Sequence, residues 1–461
     1  MGFVSGTSGI YREAFYGNRR IMIPNPEHIK TFVSTTYTYI GKNKQQEISR
    51  LLFEIAKRER IDYTKIAQEL PKPPSRFTNI KDYLLRRRYP SLTEENQGIR
   101  PSLFDISLRP DLRVDKDSKP VIYPKTLFVE ESVFHTGFAT RIRNLFPDSK
   151  VEIIKTYKDH IGKRRLSIDD YNRRLQDFYL IRENFDFYKR CPCSNESASC
   201  GYIVVNLGSG CPYECSYCIL QDYINSPGII LPANIEDFFS VFKNSKQNIR
   251  CGSGELTDSL VFDHITGYSP QIVEFFRHYP DSSFEFKTKS NNIGLLTSAP
   301  GAKNVIVSWS VNPQSVVETV EYFTASMTER LKAAQTCVKC GYRVAFHFDP
   351  IIYYQGWESD YKELIHTLLT TIDGRHIAWI SLGTLRMTPR LKKIIENRFP
   401  DNTILDEEFF TGHDGKLRYP KRIRISLYRN MISWIRHYCT SVPVYLCMED
   451  RFIHSEYQVF S

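Results

Sequence analysis

The feature that most constrains the fold is a series of six short apolar runs that alternate with stretches of helical periodicity. The runs occupy residues 201–210, 248–255, 284–290, 304–312, 342–352 and 376–385. Each run is continuous rather than alternating, as expected for a strand that is covered on both faces. Strands separated by helices predict a parallel α/β sheet, whose functional side chains collect at the carboxyl ends of the strands.

The rest of the sequence predicts further segments around this sheet. Before it, VIYPKTLFVEE and KVEIIKT are typical of strands, and IDDYNRRLQDFYLI is typical of a helix. After it, a helix and a final strand, VYLCME, follow. We therefore expect a basic helical module at 1–110, an α/β lead-in with a basic linker at 111–190, the sheet at 191–390, and a C-terminal helix and strand at 391–461.

The first of these segments is basic. It holds 19 Lys and Arg against 11 Asp and Glu, which is most of the net charge of +10. Helical spacing covers 43–60 and 64–70, and a third helix, capped by Asn79, ends in three arginines before Pro90. This order indicates a helix-turn-helix or winged-helix module that faces a polyanion. A small helical bundle with a solubilising charged face is the alternative.

Composition excludes several classes of protein. No uninterrupted apolar stretch approaches the roughly 18 residues that a membrane helix needs, and the first residues, MGFVSGTSG, lack the pattern of a signal peptide. The 11 cysteines are an odd number without a secretory signal, so a disulfide framework is not expected. We predict a cytoplasmic protein without a membrane anchor.

Three cysteines have the spacing of a cluster site. Cys211, Cys215 and Cys218 follow the first apolar run as C-x-x-x-C-x-x-C. Three thiolates can bind three irons of a 4Fe–4S cluster and leave the fourth iron without a protein ligand. An open position on a metal is where a substrate or cofactor binds. A zinc site with a distant fourth ligand is the alternative.

This spacing is the signature of the radical S-adenosylmethionine superfamily, which the sequence resembles beyond the motif. The resemblance implies that the open iron binds the amine and carboxylate of S-adenosylmethionine, and that reduction yields a 5′-deoxyadenosyl radical. It implies cofactor contacts from Tyr217 against the adenine, from the Gly252, Gly254 and Glu255 element with the amine, and from Lys289, Ser310 and Asn312 with the carboxylate and ribose.

These residue types suit such contacts. Glycine allows close approach of the backbone, a carboxylate pairs with an ammonium group, and a tyrosine ring can stack on a base. Each assignment has a structural alternative: Glu255 could pair with Lys289, and Ser310 and Asn312 could be ordinary strand-end residues.

Within the superfamily the sequence is similar to the spore photoproduct lyase family over roughly residues 120 to 450. The similarity rests on GCPYECSYCILQ, TDSLVFDH, FKTKS, SWSVNP and GYRVAFHFDPIIYYQGWE, in that order. It implies a partial parallel (β/α)6 barrel, reversal of a thymine lesion in DNA, and a reducing partner such as flavodoxin or ferredoxin. The basic α-helical extension lies outside it.

The sequence departs from that family at one functional position. The resemblance implies a cysteine at the end of the second strand that returns a hydrogen atom to the product radical, and Glu255 occupies this position. Cys251, four residues earlier, is the candidate substitute, and Ile219 replaces a tyrosine that follows the third cluster cysteine. Two other functions therefore stay open: radical chemistry on a peptide or small molecule, and a non-catalytic iron–sulfur DNA-binding redox sensor.

Two further groups of residues are candidates. Cys191, Cys193 and Cys200 could bind a second iron–sulfur cluster or zinc, with buried reduced thiols as the alternative. Candidate substrate contacts follow the fifth run: His347, Asp349, Tyr353, Tyr354 and Trp357. A core histidine and core aromatic side chains are the alternatives there.

Overall fold

Two mostly parallel β-sheets organise the fold, and the chain passes from one sheet to the other. The computed structural model describes residues 11–16, 19–93, 112–184, 189–191, 201–224, 226–244, 248–412 and 414–456. None of the helices in this described part of the chain combines the length and the hydropathy of a membrane-spanning segment. The larger sheet has eight strands and the smaller has four.

The first part of the chain forms a hairpin and four helices, which we call the N-terminal module (residues 11–93). Its elements are β1 Tyr11–Tyr16, β2 Arg19–Pro24, α1 Pro26–Thr36, α2 Lys42–Glu59, α3 Tyr63–Gln68 and α4 Phe77–Arg88. The three predicted helices are present, and α1 and the hairpin were not predicted. Helix α4 begins at Phe77, with Arg76 as its N-cap. The predicted cap, Asn79, therefore lies inside the first turn, which corrects that expectation.

The lead-in forms the smaller sheet. Its elements are β3 Thr126–Glu130, α5 Gly137–Leu145, β4 Lys150–Ile154, α6 Tyr157–Ile161, α7 Ile168–Asn172 and β5 Asp177–Ile181. The helix predicted over 168–181 is wrong in its second half. Phe178 to Ile181 are buried in a strand, and their apolar run is long enough to be covered on both faces.

The remaining elements are the strands of the larger sheet, the helices around them, one further strand of the smaller sheet, and the strands of two short sheets. They are β6 Lys189–Arg190, β7 Ile203–Val204, β8 Glu214–Cys215, β9 Ile229–Pro232, α8 Ile235–Lys243, β10 Arg250–Ser253, α9 Asp263–Thr266, α10 Tyr268–Arg277, β11 Ser283–Thr288, β12 Val305–Ser310, α11 Gln314–Val320, β13 Glu321–Tyr322, α12 Met327–Lys339, β14 Arg343–Ile351, α13 Trp357–Thr371, β15 Ile377–Thr384, β16 Arg386–Met387, α14 Pro389–Arg398, β17 Phe410–Thr411, β18 Leu417–Arg418, α15 Lys421–Tyr438, β19 Val444–Leu446 and α16 Arg451–Glu456. Strand β9 belongs to the smaller sheet, β8 and β13 form one short sheet, and β16, β17 and β18 form the other.

The larger sheet contains all six predicted strands and confirms the α/β half-barrel. Its order is β19-β15-β14-β12-β11-β10-β7-β6, and β6 is its single antiparallel strand. Strand β9 leaves this order and pairs with β5 in the smaller sheet, whereas β19, from the C-terminal segment, pairs with β15. The expected boundaries near residues 190 and 390 therefore cut across both sheets.

The two faces of the larger sheet differ in polarity. Phe284, Phe286, Trp309 and Phe346 belong to the main apolar core beneath the helices. Side chains of opposite parity, including buried Glu285 and His347, face the concave side. Since strands alternate their side chains, the same strands supply an apolar outer face and a polar interior that opens at their carboxyl ends.

Candidate functional site

A cavity of about 440 Å³ lies at the carboxyl ends of the strands of the larger sheet. One wall is the cysteine-bearing loop after β7, and another is formed by residues 385–388 and Lys416. Between these walls lie residues that end β10, β11, β12 and β14. The cavity is where a parallel sheet is expected to place its functional side chains.

Nine of the candidate residues line this cavity. They are Cys211, Cys215, Tyr217, Cys218, Gly254, Glu255, Lys289, Ser310 and Asp349. The structure places seven others elsewhere: Gly252, Cys251, Asn312, His347, Tyr353, Tyr354 and Trp357. Cys191 is described and does not line the cavity, and Cys193 and Cys200 lie outside the described residues.

The cysteine loop is held from behind by a buried carboxylate between two arginines. Glu214 accepts hydrogen bonds from Arg174, at 2.8 Å, and from Arg398, at 2.9 Å. Arg174 also donates to the backbone carbonyls of Cys211, at 2.6 Å, and Tyr213, at 3.0 Å. Two cations and several carbonyls therefore fix the backbone of the loop. Sequence analysis missed this set, because its three charged residues are far apart in the chain.

A glutamine fixes the second half of the same loop. The Gln221 side-chain amide donates to the carbonyls of Cys215, at 3.0 Å, and Ser216, at 3.0 Å, and Gln221 accepts a hydrogen bond from Arg398. Gln221 is fully buried. Gln221 is the last residue of the CILQ sequence, and this position directly after the third motif cysteine is the sequence feature that could have identified it.

The three thiols of the motif lie together at the cavity, where Cys211, Cys215 and Cys218 all line its wall. Burial raises the pKa of each thiol, so without a metal each stays protonated. In a 4Fe–4S cluster each cysteine of such a trio binds a different iron. The donor set fits a 4Fe–4S cluster.

Tyr217 is held by a buried carboxylate. Its hydroxyl donates to Glu321, which also accepts from Asn312 at 2.9 Å and from Arg330 at 2.7 Å. Burial opposes ionisation of Glu321, but the Arg330 guanidinium and the Lys289 ammonium outweigh it and lower the Glu321 pKa to about 2. The Tyr217 ring is therefore fixed at the cavity wall.

Asn312 helps to hold Glu321 in place and does not line the cavity. It is 1% exposed, and its side-chain oxygen accepts from the Tyr361 hydroxyl at 2.7 Å while its amide donates to Glu321. Because both ends of the amide are occupied, the structure does not bring Asn312 to the position implied for a ribose contact.

Lys289 is a half-buried cation in the cavity lining, beside the cysteine loop. Its ammonium lies 5.6 Å from the centroid of the Tyr217 ring. Burial by itself would lower its pKa, but the ionised Glu321 carboxylate outweighs burial and raises the pKa above the ordinary lysine value. Lys289 therefore stays charged beside the thiols and can bind an anionic group.

Asp258 fixes the ends of β10 and β11 next to one another. Its carboxylate accepts from the Lys289 backbone amide at 2.6 Å, from the Thr288 hydroxyl at 2.6 Å and from two amides of its own turn, those of Leu260 and Val261, each at 3.0 Å. Gly254, with a φ of +106°, precedes this turn, and a Cβ there would lie 2.8 Å from the Lys287 carbonyl oxygen. The backbone requires glycine at this point.

Glu255 and Gly252 have different surroundings. Burial raises the pKa of the Glu255 carboxyl, against the effect of Lys189 and Lys287. Among the described residues Glu255 forms no ion pair with Lys289, so that alternative is not seen. A Cβ on Gly252 would lie 2.3 Å from the Tyr202 hydroxyl and from the Glu285 carbonyl oxygen. Gly252 is thus required by strand packing, outside the cavity.

Of the five substrate candidates in and after β14, Asp349 lines the cavity and the other four do not. Asp349 lines the cavity and forms an ion pair with Arg386 at 2.9 Å. His347 is 4% exposed and bonds to Glu285 at 2.6 Å and to Ser381. Both ring nitrogens are therefore engaged inside the sheet, which is the core alternative for this histidine.

The three aromatic candidates belong to the packing of α13. Trp357 is 5% exposed and packs against the rings of Tyr353, at 6.0 Å, and Trp434, at 5.7 Å. The Tyr354 hydroxyl donates to Asp360 at 2.7 Å. The structure does not bring these aromatic rings to the cavity as stacking surfaces for a base.

Cys251 is also in the core. It is fully buried on the apolar face of β10, and its sulfur lies 3.6 Å from the Ser283 carbonyl oxygen. Alternation along the strand explains this position, because neighbours in a strand face opposite sides and Gly252 faces the concave side. Among the described residues, the cysteines that line the cavity are the three of the cluster motif.

We predict that Glu214→Gln destabilises the fold by about 3 to 5 kcal/mol, because it leaves two buried arginines without a carboxylate. The free energy of unfolding, from denaturant titration followed by circular dichroism, measures the effect. Glu152→Gln is the matched control, since Glu152 pairs with Lys150 at the protein surface at 2.6 Å and should cost no more than about 1 kcal/mol. Equal losses in the two variants would contradict this account.

Comparison with known proteins identifies the family of this chain. The family model for spore photoproduct lyase matches residues 122–435. Spore photoproduct lyase of Geobacillus sp. is 28% identical over 254 residues, covering 52% of this chain and 74% of that protein. The Bacillus subtilis lyase is 24% identical over 300 residues, covering 62% of this chain and 85% of that protein.

Solved structures share the fold. A spore photoproduct lyase complexed with dinucleoside spore photoproduct has a TM-score of 0.62 at 22% identity, covering 71% of this chain and 99% of that one. A lyase variant with bound AdoMet and dinucleoside spore photoproduct has a TM-score of 0.59 at 21% identity, with the same coverage of 71% and 99%. Since the family model matches more than half of the sequence, this chain belongs to the spore photoproduct lyase family of the radical S-adenosylmethionine superfamily.

Proposed function

We propose that the protein is a radical S-adenosylmethionine lyase that acts on spore photoproduct in DNA. The observation that carries the proposal is the single cavity that joins the three motif cysteines to Glu255, Lys289 and Ser310. Membership of the lyase family supports the same reaction. The relatives solved with dinucleoside spore photoproduct support the substrate class.

Cys211, Cys215 and Cys218 would hold a 4Fe–4S cluster, and the cavity beside them would hold S-adenosylmethionine. When bound and reduced, this pair supplies a 5′-deoxyadenosyl radical. The protein's part is to bind and orient. Glu255 would pair with the cofactor's ammonium group, and the Lys289 ammonium would pair with its carboxylate.

Two further residues would complete the cofactor site. The Tyr217 ring, fixed by Glu321, offers a face for the adenine. Ser310 lines the cavity at the end of β12 and offers a hydroxyl to the ribose. The positive φ of Gly254 lets the backbone bend beneath the ligand.

The opposite wall would receive the lesion. A recessed cavity can act on a base only after that base is turned out of the duplex. Asp349, held by Arg386, is the candidate substrate contact that lies in the cavity. Its carboxylate is fixed in direction, because both oxygens bond to the guanidinium, at 2.9 and 3.2 Å.

A second candidate function keeps the radical chemistry and changes the substrate to a peptide or small molecule. It is favoured by the position of Cys251 in the core and of Glu255 in the cavity, because hydrogen return by a thiol then needs a different route. The redox-sensor alternative would leave the cofactor contacts without a use.

Three auxiliary parts of the proposal rest on the sequence. A flavodoxin or ferredoxin would supply the electron. A second cluster or zinc at Cys191, Cys193 and Cys200 stays a prediction, since Cys191 alone of the three is described. A cytoplasmic location stays a prediction from the sequence.

Only some of the basic side chains of the N-terminal module would be available to bind DNA, because others form ion pairs within the module. Arg87 pairs with Glu59 and Glu69, each at 2.7 Å, and Arg88 pairs with Glu54 at 2.7 Å. Two of the three arginines at the end of α4 are thus neutralised inside the module.

Two exposed cations lie near the other end of this helix. Lys44 has its ammonium 5.3 Å from the centroid of the Phe77 ring, and Arg76 precedes that residue. Neither Lys44 nor Arg76 has an ion-pair partner among the residues described. We propose that this end of α4 contacts DNA phosphates.

We predict that the reduced, reconstituted protein converts S-adenosylmethionine to 5′-deoxyadenosine and restores thymine in oligonucleotides that carry spore photoproduct. Cys215→Ala should lose both activities, because it removes a ligand of the cluster. Cys439→Ala, which alters a half-buried cysteine remote from the cavity lining, is the control and should keep them. Chromatography of the nucleosides measures both products. Formation of 5′-deoxyadenosine without lesion repair would favour the second candidate function.

We predict that affinity for S-adenosylmethionine falls as the pH is lowered through the Glu255 pKa. This loss should begin at a higher pH than for an ordinary glutamate, whose pKa is 4.5, because burial raises the pKa of the carboxyl. Glu255→Gln should bind more weakly with no such pH dependence, whereas Glu363→Gln on the exposed face of α13 should behave as wild type. Equilibrium dialysis on the reconstituted protein measures the dissociation constant. Parallel pH profiles for wild type and Glu255→Gln would refute the assignment.

We predict that replacing Lys44 and Arg76 by serine weakens DNA binding and flattens its salt dependence. The slope of log K against log[salt] should fall by about 0.9 for each phosphate that the variant no longer neutralises. Fluorescence anisotropy with a labelled duplex measures the slope. Lys362→Ser on α13 is the control for a change of net charge. An unchanged slope in the double variant would place the DNA-binding surface elsewhere.

A further inference from the structure

We infer that the N-terminal module positions a wall of the cavity, by clamping the segment that carries that wall. The segment runs from 398 to 410 and is called the docking segment here. It contacts the module on one side and the cysteine loop on the other, and it continues into the hairpin of β17 and β18. The module lies outside the residues that match the family model, 122–435.

Lysine and arginine side chains of the module hold the docking segment. Lys57, on α2, donates to the Asn402 carbonyl at 2.6 Å and pairs with Asp406 at 3.0 Å. Arg88, at the end of α4, donates to the carbonyls of Leu405, at 3.3 Å, and Glu407, at 3.1 Å. Lys57 is 9% exposed and Arg88 is 3% exposed. These cations are committed to the segment and unavailable to DNA.

Acidic residues of the docking segment complete the contact. Glu408 is fully buried and accepts from the backbone amide of Ser91, at 2.8 Å, and from its hydroxyl, at 3.1 Å. Arg58 lies 3.5 Å from Glu407 and 3.6 Å from Glu408. Three successive carboxylates thus face three cations of the module. This charge complementarity explains part of the basic excess in the first quarter of the sequence.

One aromatic residue of the docking segment belongs to the module's own core. Phe410 is 3% exposed, and its ring lies 5.8 Å from that of Tyr89. It is counted among the buried apolar residues of the module rather than those of the barrel. Since Phe410 also begins β17, the apolar core of the module ends inside the hairpin.

The opposite side of the docking segment contacts the cysteine loop. The Asn402 side chain donates to the Thr319 carbonyl at 2.9 Å and lies 3.4 Å from the Ser216 hydroxyl. Arg398 donates to Glu214 at 2.9 Å. Lys57 therefore reaches Ser216, the neighbour of Cys215, through the single residue Asn402.

The hairpin of β17 and β18 connects the docking segment to the cavity wall. Strand β18 pairs with both β17 and β16, and Arg386 and Met387 of β16 line the cavity. Lys416, between β17 and β18, lines it as well. The contacts of the module with Phe410 and the docking segment therefore fix the position of this cavity wall. Lys57 and Arg88 are positioning residues, since neither touches the cavity.

Hydrogen–deuterium exchange of the full-length protein tests the inference without any substrate. Lys57→Met and Asp406→Asn remove the same ion pair from its two sides. Each should accelerate exchange of the 405–418 peptides by about tenfold or more, because a buried hydrogen bond to a charged group is removed. Lys57→Arg should restore slow exchange. Lys30→Met is the matched control, since Lys30 pairs with Glu27 on the exposed side of the module at 2.7 Å.

The pattern of exchange decides between local and general effects. Acceleration at 405–418 in both interface variants, with α13 unchanged, supports the clamp. If Lys57→Met accelerates exchange throughout the chain, the exchange pattern of Asp406→Asn distinguishes a local from a general effect, because that variant leaves the residues of the module unchanged. Wild-type exchange at 405–418 in Asp406→Asn would overturn the inference, as would equal acceleration in Lys30→Met.

A kinetic readout adds the link to function, and it alone rests on the proposed function. Asp406→Asn should raise the Michaelis constant for lesion-containing oligonucleotides several-fold, because the wall that meets the substrate is displaced. Formation of 5′-deoxyadenosine without DNA should stay at the wild-type rate. If wild type repairs no lesion, the proposed function fails while the exchange experiment still decides the clamp. A lower rate of 5′-deoxyadenosine formation with an unchanged Michaelis constant would contradict a positioning role.

Discussion

The cavity depends on the charge balance around Glu214. The cysteine loop has little regular structure of its own, with two-residue β8 followed by a turn. It keeps its shape because Arg174 and Arg398 both donate hydrogen bonds to Glu214. Arg174 also donates to a backbone carbonyl of the loop, and Arg398 donates to the side chain of Gln221. A buried carboxylate is tolerated there only because both cations are fixed by other bonds. The same balance links the cysteine loop to the docking segment, which begins at Arg398.

The sheet could be predicted because its signal is local. Six continuous apolar runs correspond to six strands, and the cysteine motif follows the first of them, as parallel topology requires. Local patterns also explain the errors. The apolar run at 178–181 was joined to a preceding helix, and β9 was missed because four buried residues between loops resemble a connection. Its partner, β5, is about 50 residues earlier, so pairing could not be inferred from spacing.

The site could be predicted in its chemistry more than in its geometry. The cysteines, Glu255 and Lys289 end successive strands, and strand order alone brings them together. Side-chain direction decided the rest. Alternation along β10 directs Cys251 into the core. The hydrogen-bond partners of His347 and Asn312 come from other strands and helices, so the local sequence does not reveal them. A histidine at a strand end has the same pattern in the sequence whether it faces a ligand or a carboxylate. The role of the basic module was also ambiguous, because part of its charge is neutralised within the module and part by acidic residues more than 300 positions away.

The central claim is that three thiolates of this chain leave one metal position free for a chelating cofactor. Electron paramagnetic resonance of the reduced, anaerobically reconstituted protein, with S-adenosylmethionine labelled with nitrogen-15 at its amino group, tests it most directly. We expect the cluster signal to shift on addition of the cofactor and to show hyperfine coupling to the labelled nitrogen. A signal that the cofactor leaves unchanged, or a protein that binds zinc in place of iron and sulfide, would contradict the claim.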